Sequence, residues 1–234
     1  MKLRSLDLFS GYGGLTLALE EWCKPVAYVE IEEYAQRIIA ERMADGSLPR
    51  APIFADVKNI EGKPDDCDII VGGFPCQDIS AAGNGAGLEG KRSGLFYEII
   101  RLTKEIQPSF IFLENVPAIR SRGLYNVAEE FSAMGYDCRW TVVSADFVGA
   151  PHQRKRFFIL AHAKCNKGRK QCRRSSRQSR ESKADNMDSA WWSAEPNVGR
   201  VDNGTPFRMD RIKALGNGVV PAQARLAFRL LMHI

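Results

Sequence analysis

The sequence predicts an α/β fold on a mostly parallel sheet, and three observations predict it. Apolar runs of strand length alternate with segments of helical periodicity through most of the chain. The first run ends in a glycine turn, Ser10-Gly11-Tyr12-Gly13-Gly14, that leads into a helical pattern. Later runs end at Glu30, Asp56, Cys76 and Glu114. Charged or reactive groups thus gather at strand carboxyl ends, where open α/β sheets hold their ligands.

The stretch Leu3 to Phe9 is mostly apolar and reads as the first strand; Leu15, Leu17, Ala18, Leu19 and Trp22 fit the helix after it. Glycines between them let a backbone approach a ligand closely, and the helix start adds partial positive charge. Val26 to Val29 is the second strand and ends at Glu30, about twenty residues beyond the glycines, where an acid can accept both ribose hydroxyls. The turn lacks the further glycine of the dinucleotide pattern, so the residues support adenosine with ribose and not NAD in particular. A helix from Glu33 to Met43 follows, then a short strand Ile53 to Val57. Asp56 near its end can reach an adenine amino group; the plain alternatives are a helix cap and a solvated loop acid.

Ile69-Ile70-Val71 reads as a buried strand broken by Gly72 and Gly73, with Pro75 fixing the backbone just before Cys76. Most free cysteines are small buried hydrophobes, and Cys23, Cys67 and Cys138 read that way. Cys76 differs because Gly, Pro, Gln, Asp and Ser surround it and a glycine-rich segment, Ala81 to Gly94, follows. A connection of that length is ordinarily functional or disordered. Leu95, Phe96, Ile99, Ile100, Leu102 and Ile106 then recur at helical spacing and stop before Pro108.

Phe110 to Leu113 is a further buried strand ending in Glu114-Asn115-Val116-Pro117. A helix is expected over Ser121 to Met134, then two strands, Cys138 to Ser144 and Arg156 to His162, joined by a turn. Arg154 and Arg156, at alternate positions entering a strand, point two guanidinium groups to one face. Spacing alone leaves a functional pair and a solvated sheet edge equally open. Lys164 to Asp188 is polar and reads as a mobile basic arm. Cys165, Cys172 and His162 match no familiar zinc spacing, and no metal site is expected. Trp191-Trp192 and Gly199 to Arg211 restore bulky and turn residues, and Leu215 to Pro221 introduces a final helix carrying Ala224, Leu226, Ala227, Leu230 and Leu231.

Composition narrows the class. A chain of 234 residues, 44% hydrophobic, can bury a full core and suits one moderate domain with a small appendage. No stretch approaches a membrane span, and Met1 to Asp7 has neither the apolar run nor the cleavage site of a signal peptide, so a cytoplasmic location is expected. Six irregularly spaced cysteines are then thiols. The net charge of +5 has one source: Lys164 to Lys183 holds nine Lys or Arg against one Glu, leaving 24 basic and 27 acidic side chains elsewhere.

Taken in order, five motifs resemble those of the bacterial and prophage DNA cytosine-5 methyltransferases. Asp7-Leu8-Phe9-Ser10-Gly11-Tyr12-Gly13-Gly14 is similar to the first cofactor motif and Gly73-Phe74-Pro75-Cys76-Gln77 to the nucleophile motif. Glu114-Asn115-Val116 resembles the acid motif, Gln153-Arg154-Lys155-Arg156 the arginine motif, and Gly216-Asn217-Gly218-Val219-Val220-Pro221 the closing motif. The likeness spans Leu3 to His162 and Arg211 onward.

The resemblance implies a Rossmann-like S-adenosylmethionine-dependent methyltransferase fold with a small, reduced target-recognition region. It implies three parts: residues 1–163 catalytic and cofactor-binding, 164–205 a short basic target-recognition segment, and 206–234 a return to the catalytic domain. Phe9 would lie on the adenine, Glu30 on the ribose and Asp56 on the amino group, with Ile31 and Val57 as apolar walls. Gly11, Gly13, Gly14, Leu15, Pro75, Leu95, Asn217 and Gly218 complete the implied cofactor pocket. Cys76 would be the nucleophile, Glu114 the acid at N3 of a flipped-out cytosine, Arg156 the ligand of its O2, and Arg154 the group that orients the site and favours the thiolate.

The segment after Cys76 resembles the family's mobile catalytic loop, with Gln77, Ser80, Lys91 and Arg92 as DNA contacts. The expected partner is double-stranded DNA, met by a monomer away from membranes, and a restriction-modification role admits a cognate endonuclease. The recognition region is a departure from the family: only about forty residues separate His162 from Asn203, which suits phosphate contact and short or relaxed sequence specificity. The competing readings are a tRNA cytosine-5 methyltransferase on the same scaffold and a catalytically inactive DNA-binding homologue. A NAD-dependent dehydrogenase lacks the third glycine and any hydride-transfer site.

Overall fold

A computed structural model describes residues 1–74, 94–164 and 218–233. Among them lie seven strands: β1 Leu3–Leu8, β2 Cys23–Val29, β3 Ile53–Phe54, β4 Ile69–Gly73, β5 Phe110–Asn115, β6 Tyr136–Ser144 and β7 Lys155–Ala163. The helices are α1 Gly14–Ala18, α2 Glu33–Ala44, α3 Leu95–Ile106, α4 Ile119–Arg122, α5 Leu124–Ala133 and α6 Pro221–Met232. The strands make one sheet in the order β3-β2-β1-β4-β5-β7-β6. Neighbours from β3 to β5 pair in parallel, and β7 is antiparallel to both β5 and β6, so only β7 runs against the rest.

Side chains alternate between the two faces of the sheet, and each face has its own core. Leu6, Leu8, Ile70, Ile111, Leu113, Phe157, Ile159 and Ala161 join Phe96, Ile99, Ile100 and Phe131 of α3 and α5. Ile69, Val71, Phe112, Phe158 and Leu160 join Leu15 and Ala18 of α1 and Phe228 and Leu231 of α6. Phe112 stacks on Phe158 with centroids 5.7 Å apart and meets Phe228 edge-on at 5.2 Å, which seats α6 on the sheet. The α/β class and mostly parallel sheet expected from the sequence are present. No described helix is long and apolar enough to cross a membrane.

Three expectations need correction. Gly72 and Gly73 do not break β4; they continue it and pair with Leu8, Leu113 and Glu114. A Cβ on Gly72 would stand 2.9 Å from the Leu8 carbonyl oxygen, so the glycine permits close strand packing instead of a turn. The helix expected over Ser121 to Met134 is two helices, because Gly123 is extended (φ −172°) between α4 and α5. The helix after the first glycine turn is five residues long and ends at Ala18, well short of Trp22.

Because β2 and β3 lie on one side of β1 and β4 on the other, the order reverses between β1 and β4, and a crevice opens at their carboxyl ends. The reversed β7 brings its amino end to that same edge. The tight β1–β4 contact makes Gly72→Ala destabilising by about 1–3 kcal/mol, read as a lowered urea midpoint with an unchanged slope.

Candidate functional site

At the β1 side of the crevice, Phe9 sits at φ +54°, a left-handed backbone that costs a bulky residue roughly 1–3 kcal/mol and is typical of functional turns. Ser10 staples the two strand ends together. Its buried hydroxyl donates to the Asp7 carbonyl at 2.7 Å and accepts the Val29 N–H at 3.1 Å, and its own N–H reaches the Val29 carbonyl at 3.0 Å. Gly11 (φ +53°) and Gly13 (φ +78°) then turn the chain into α1.

Glu30 follows β2 and is buried. One carboxylate oxygen accepts the Gly11 N–H at 2.7 Å and the other the Glu32 N–H at 2.9 Å. Each oxygen keeps a lone pair for a vicinal hydroxyl, so the acid fits a ribose while also holding the glycine turn. Beside it Ile31 is 68% exposed, a large apolar side chain facing outward at the strand end. Asp56 realises the capping alternative: its Oδ1 accepts the Lys58 N–H at 2.9 Å. Val57 and Leu15 are buried in the two cores, which leaves Leu15 only its backbone for the crevice. Leu95 opens α3 and packs on the first core.

Gly14 has a packing duty, since a Cβ there would stand 2.6 Å from Val219 of the closing segment. Gly218 lies just before that contact, and its carbonyl accepts Arg154 Nη2 at 2.8 Å. Pro75, Cys76, Gln77, Ser80, Lys91, Arg92 and Asn217 lie outside the described residues, as do Cys165, Cys172 and the recognition segment after Lys164. No cluster of metal-ligating side chains occurs among the described residues.

The second half of the site joins β5 to β7. Glu114 Oε1 and Arg156 Nε form an ion pair at 2.7 Å, with side chains only 14% and 16% exposed. Gly73 makes the room: a Cβ there would lie 3.0 Å from Glu114 Oε2. Burial pushes the Glu114 carboxyl above its ordinary range, with Arg156 and Arg154 opposing. Burial and the neighbouring Arg156 lower the pKa of Arg154, and Glu114 opposes them. The two arginines and the acid therefore form one electrostatic group, and the solvated-edge reading of the pair fails.

Three residues escaped the sequence reading. Asn115 is buried, donates through Nδ2 to the Phe74 carbonyl at 2.9 Å, and accepts the Val116 N–H at 2.8 Å. It ties the acid's strand to the residue two before Cys76; its place inside the acid motif was the available signal. Ser10 has the same kind of signal, its place inside the first cofactor motif. Asp7 lies fully buried under the crevice, accepts the Thr16 hydroxyl at 2.6 Å, and has its pKa pushed up to about 7 by burial. The described cysteines are poor nucleophiles, because burial pushes Cys23 and Cys67 up to about 12 and Cys138 to about 11.

Comparison with known proteins gives a family and a fold. The family model for C-5 cytosine-specific DNA methylase matches residues 3–217. Type II methyltransferase M.CviJI of Paramecium bursaria Chlorella virus IL3A is 35% identical over 231 residues, 97% of this chain and 59% of the relative. Type II methyltransferase M.HhaI of Haemophilus parahaemolyticus is 34% identical over 164 residues, 68% of this chain and 48% of the relative. This chain thus spans about half the length of the relatives it matches. Among solved structures, a putative DNA modification methyltransferase from an E. coli prophage superposes with a TM-score of 0.54 at 28% identity, covering 69% of this chain and 47% of that one. S. pombe Dnmt2 methyltransferase has the same fold, with a TM-score of 0.54 at 23% identity over 69% of this chain and 51% of that one.

The buried acid generates a stability prediction. A carboxyl titrating near 7 when folded and near 4 when unfolded binds more protons in the native state, so its contribution is lost as pH rises through that window. Asp7→Asn keeps an acceptor for Thr16 and removes the titration. Its stability relative to wild type, from urea unfolding, is expected to grow by about 3 kcal/mol between about pH 5 and pH 8.

Proposed function

This chain belongs to the C-5 cytosine-specific DNA methylase family, and from that premise we propose that it is an enzyme that methylates C5 of cytosine in double-stranded DNA. The observation that carries the reading is the buried Glu114–Arg156 pair at the carboxyl edge of the sheet, one strand from the chain that leads to Cys76. The relatives, type II methyltransferases and a DNA modification methyltransferase, favour DNA over tRNA.

The crevice suits S-adenosylmethionine, the cofactor that this family implies. Glu30 offers two carboxylate oxygens to the ribose, and the exposed Ile31 and the strained Phe9 offer apolar surface to the adenine. Bound there, the cofactor supplies an electrophilic methyl group. The roles of Asp56, Leu95, Asn217 and Gly218 around it remain part of the proposal.

Cytosine C5 is a weak nucleophile, and the chain's residues are arranged to change that. The Cys76 thiolate adds to C6, forming an S–C bond and moving electron density to C5 and N3. Glu114, whose carboxyl burial shifts toward the protonated form against the pull of Arg156 and Arg154, in that form gives its proton to N3 and receives the exocyclic amine's hydrogen bond. Arg156 binds O2, and the positive charge of Arg154 favours the thiolate. After C5 is methylated its proton would leave to a base, which a water can provide, the S–C6 bond would break to restore the thiolate, and N3 would return its proton to Glu114. The base must leave the duplex for this, at a cost of a few kcal/mol.

The basic stretch from Lys164 to Lys183 supports phosphate contact, and with it short or relaxed sequence specificity. Monomeric action in the cytoplasm belongs to the same proposal, as does a cognate endonuclease.

Assays of methyl transfer to duplex DNA and to tRNA test the substrate; transfer to tRNA alone would overturn the reading. Cys76→Ser is expected to abolish turnover, retain cofactor binding by calorimetry, and lose the covalent adduct that wild type forms with 5-fluorocytosine DNA. Because the protonated acid is the working form, turnover should fall on the alkaline side as Glu114 ionises; Glu114→Gln should remove that limb and lower kcat by about 10²-fold or more. Bisulfite sequencing of methylated DNA tests specificity, and a target of six or more fixed bases would defeat the short-site expectation.

A further inference from the structure

We propose that Gln223, on the final helix, is a positioning residue that locks the two site arginines to the cofactor side of the crevice, an inference that rests on the function proposed above. Gln223 is fully buried, and its Nε2 donates to the Val143 carbonyl at 2.7 Å and to the Arg154 carbonyl at 2.6 Å. Val143 is the cross-strand partner of Arg156. One amide group therefore grips the backbone at Arg154 itself and directly opposite Arg156.

The connection runs back the other way as well. Arg154 Nη2 donates to the Gly218 carbonyl at 2.8 Å, five residues before Gln223. Between them Val219 fills the space that Gly14 leaves open at the glycine turn. Arg154, Gly218, Val219 and Gln223 thus close a loop of contacts linking the amino end of β7 to the turn after β1. The amide has one workable orientation, because reversal would set Oε1 against two carbonyl oxygens in a site without water access.

A residue that only satisfied two buried carbonyls would affect stability and leave the turnover of folded enzyme alone. A positioning residue makes a different prediction, since displacement of an active group by about 1 Å can cost roughly 10²-fold in rate. Gln223→Met fills the same space and donates nothing. Gln223→Glu donates one hydrogen bond when neutral and none when ionised, so its rate should fall as pH rises through an ionisation that wild type lacks.

The test uses the full chain and measures methyl transfer from tritiated S-adenosylmethionine to unmethylated duplex DNA, cofactor affinity by calorimetry, thermal melting, and amide hydrogen exchange across residues 152–157. Expected for Gln223→Met are a kcat per folded molecule lower by more than about twofold and on the order of tenfold, cofactor Kd within about threefold of wild type, and faster exchange at 152–157. A kcat within about twofold of wild type overturns the proposal whatever the melting temperature. Should Gln223→Met not fold, the Gln223→Glu pH profile decides, and a profile superimposable on wild type overturns it. A wild type that transfers no methyl group overturns the proposed function instead; unchanged exchange at 152–157 in Gln223→Met then overturns the clamp too, and faster exchange upholds it.

Discussion

The ion pair between Glu114 and Arg156 is the constraint on which the rest of the site depends. Two opposite charges, each about 15% exposed, are held 2.7 Å apart at the end of a buried sheet. Removing either would leave the other charged in a place that favours the neutral form, so the fold must deliver both together. Parallel strands alone cannot do so, because each presents only its carboxyl end at the crevice. The reversed strand β7 solves this by entering the sheet where its neighbours leave it. Gly73 leaves room for the carboxylate, Asn115 fixes the end of its strand, and Gln223 and Gly218 hold Arg154 from behind.

The cofactor side is built on a different economy of groups. Glu30 gives one lone pair of each oxygen to the turn it faces, so the same acid shapes the glycine loop and keeps a further lone pair on each oxygen. Ser10 fastens that loop to β2, and Phe9 is held in a backbone state that a bulky residue avoids elsewhere. Such strain persists only where surrounding contacts over-determine it. Asp7 beneath them adds a buried carboxyl near neutrality, which couples the stability of this corner to pH.

The two halves meet in the closing segment. Val219 packs on Gly14 while its neighbour Gly218 accepts from Arg154, so a short piece near the final helix touches the turn after β1 and the start of β7. Family membership rests on residues 3–217, which include both halves. The matched portion of the relatives is about half to three fifths of their length, and the assignment of substrate and partners stays tied to the assays proposed for them.

By itself the sequence determined the α/β class, most strand positions and the acids Glu30 and Glu114 at the strand ends, because alternation, glycine turns and terminal acids are local patterns that survive without knowledge of neighbours. Cys76 and the recognition segment stay where the sequence left them, outside the described residues. Only the tertiary structure decided which groups meet. It turned Gly72 and Gly73 from strand breakers into spacers, since their role depends on Leu8 and Glu114, distant in sequence. It made Arg156 a partner of Glu114 and not a solvated edge, since that depends on the direction of β7. Gln223 has no local signal and Asn115 only its place in a motif, because a buried amide acquires its role from carbonyls that the fold, and not the spacing, brings within hydrogen-bonding reach.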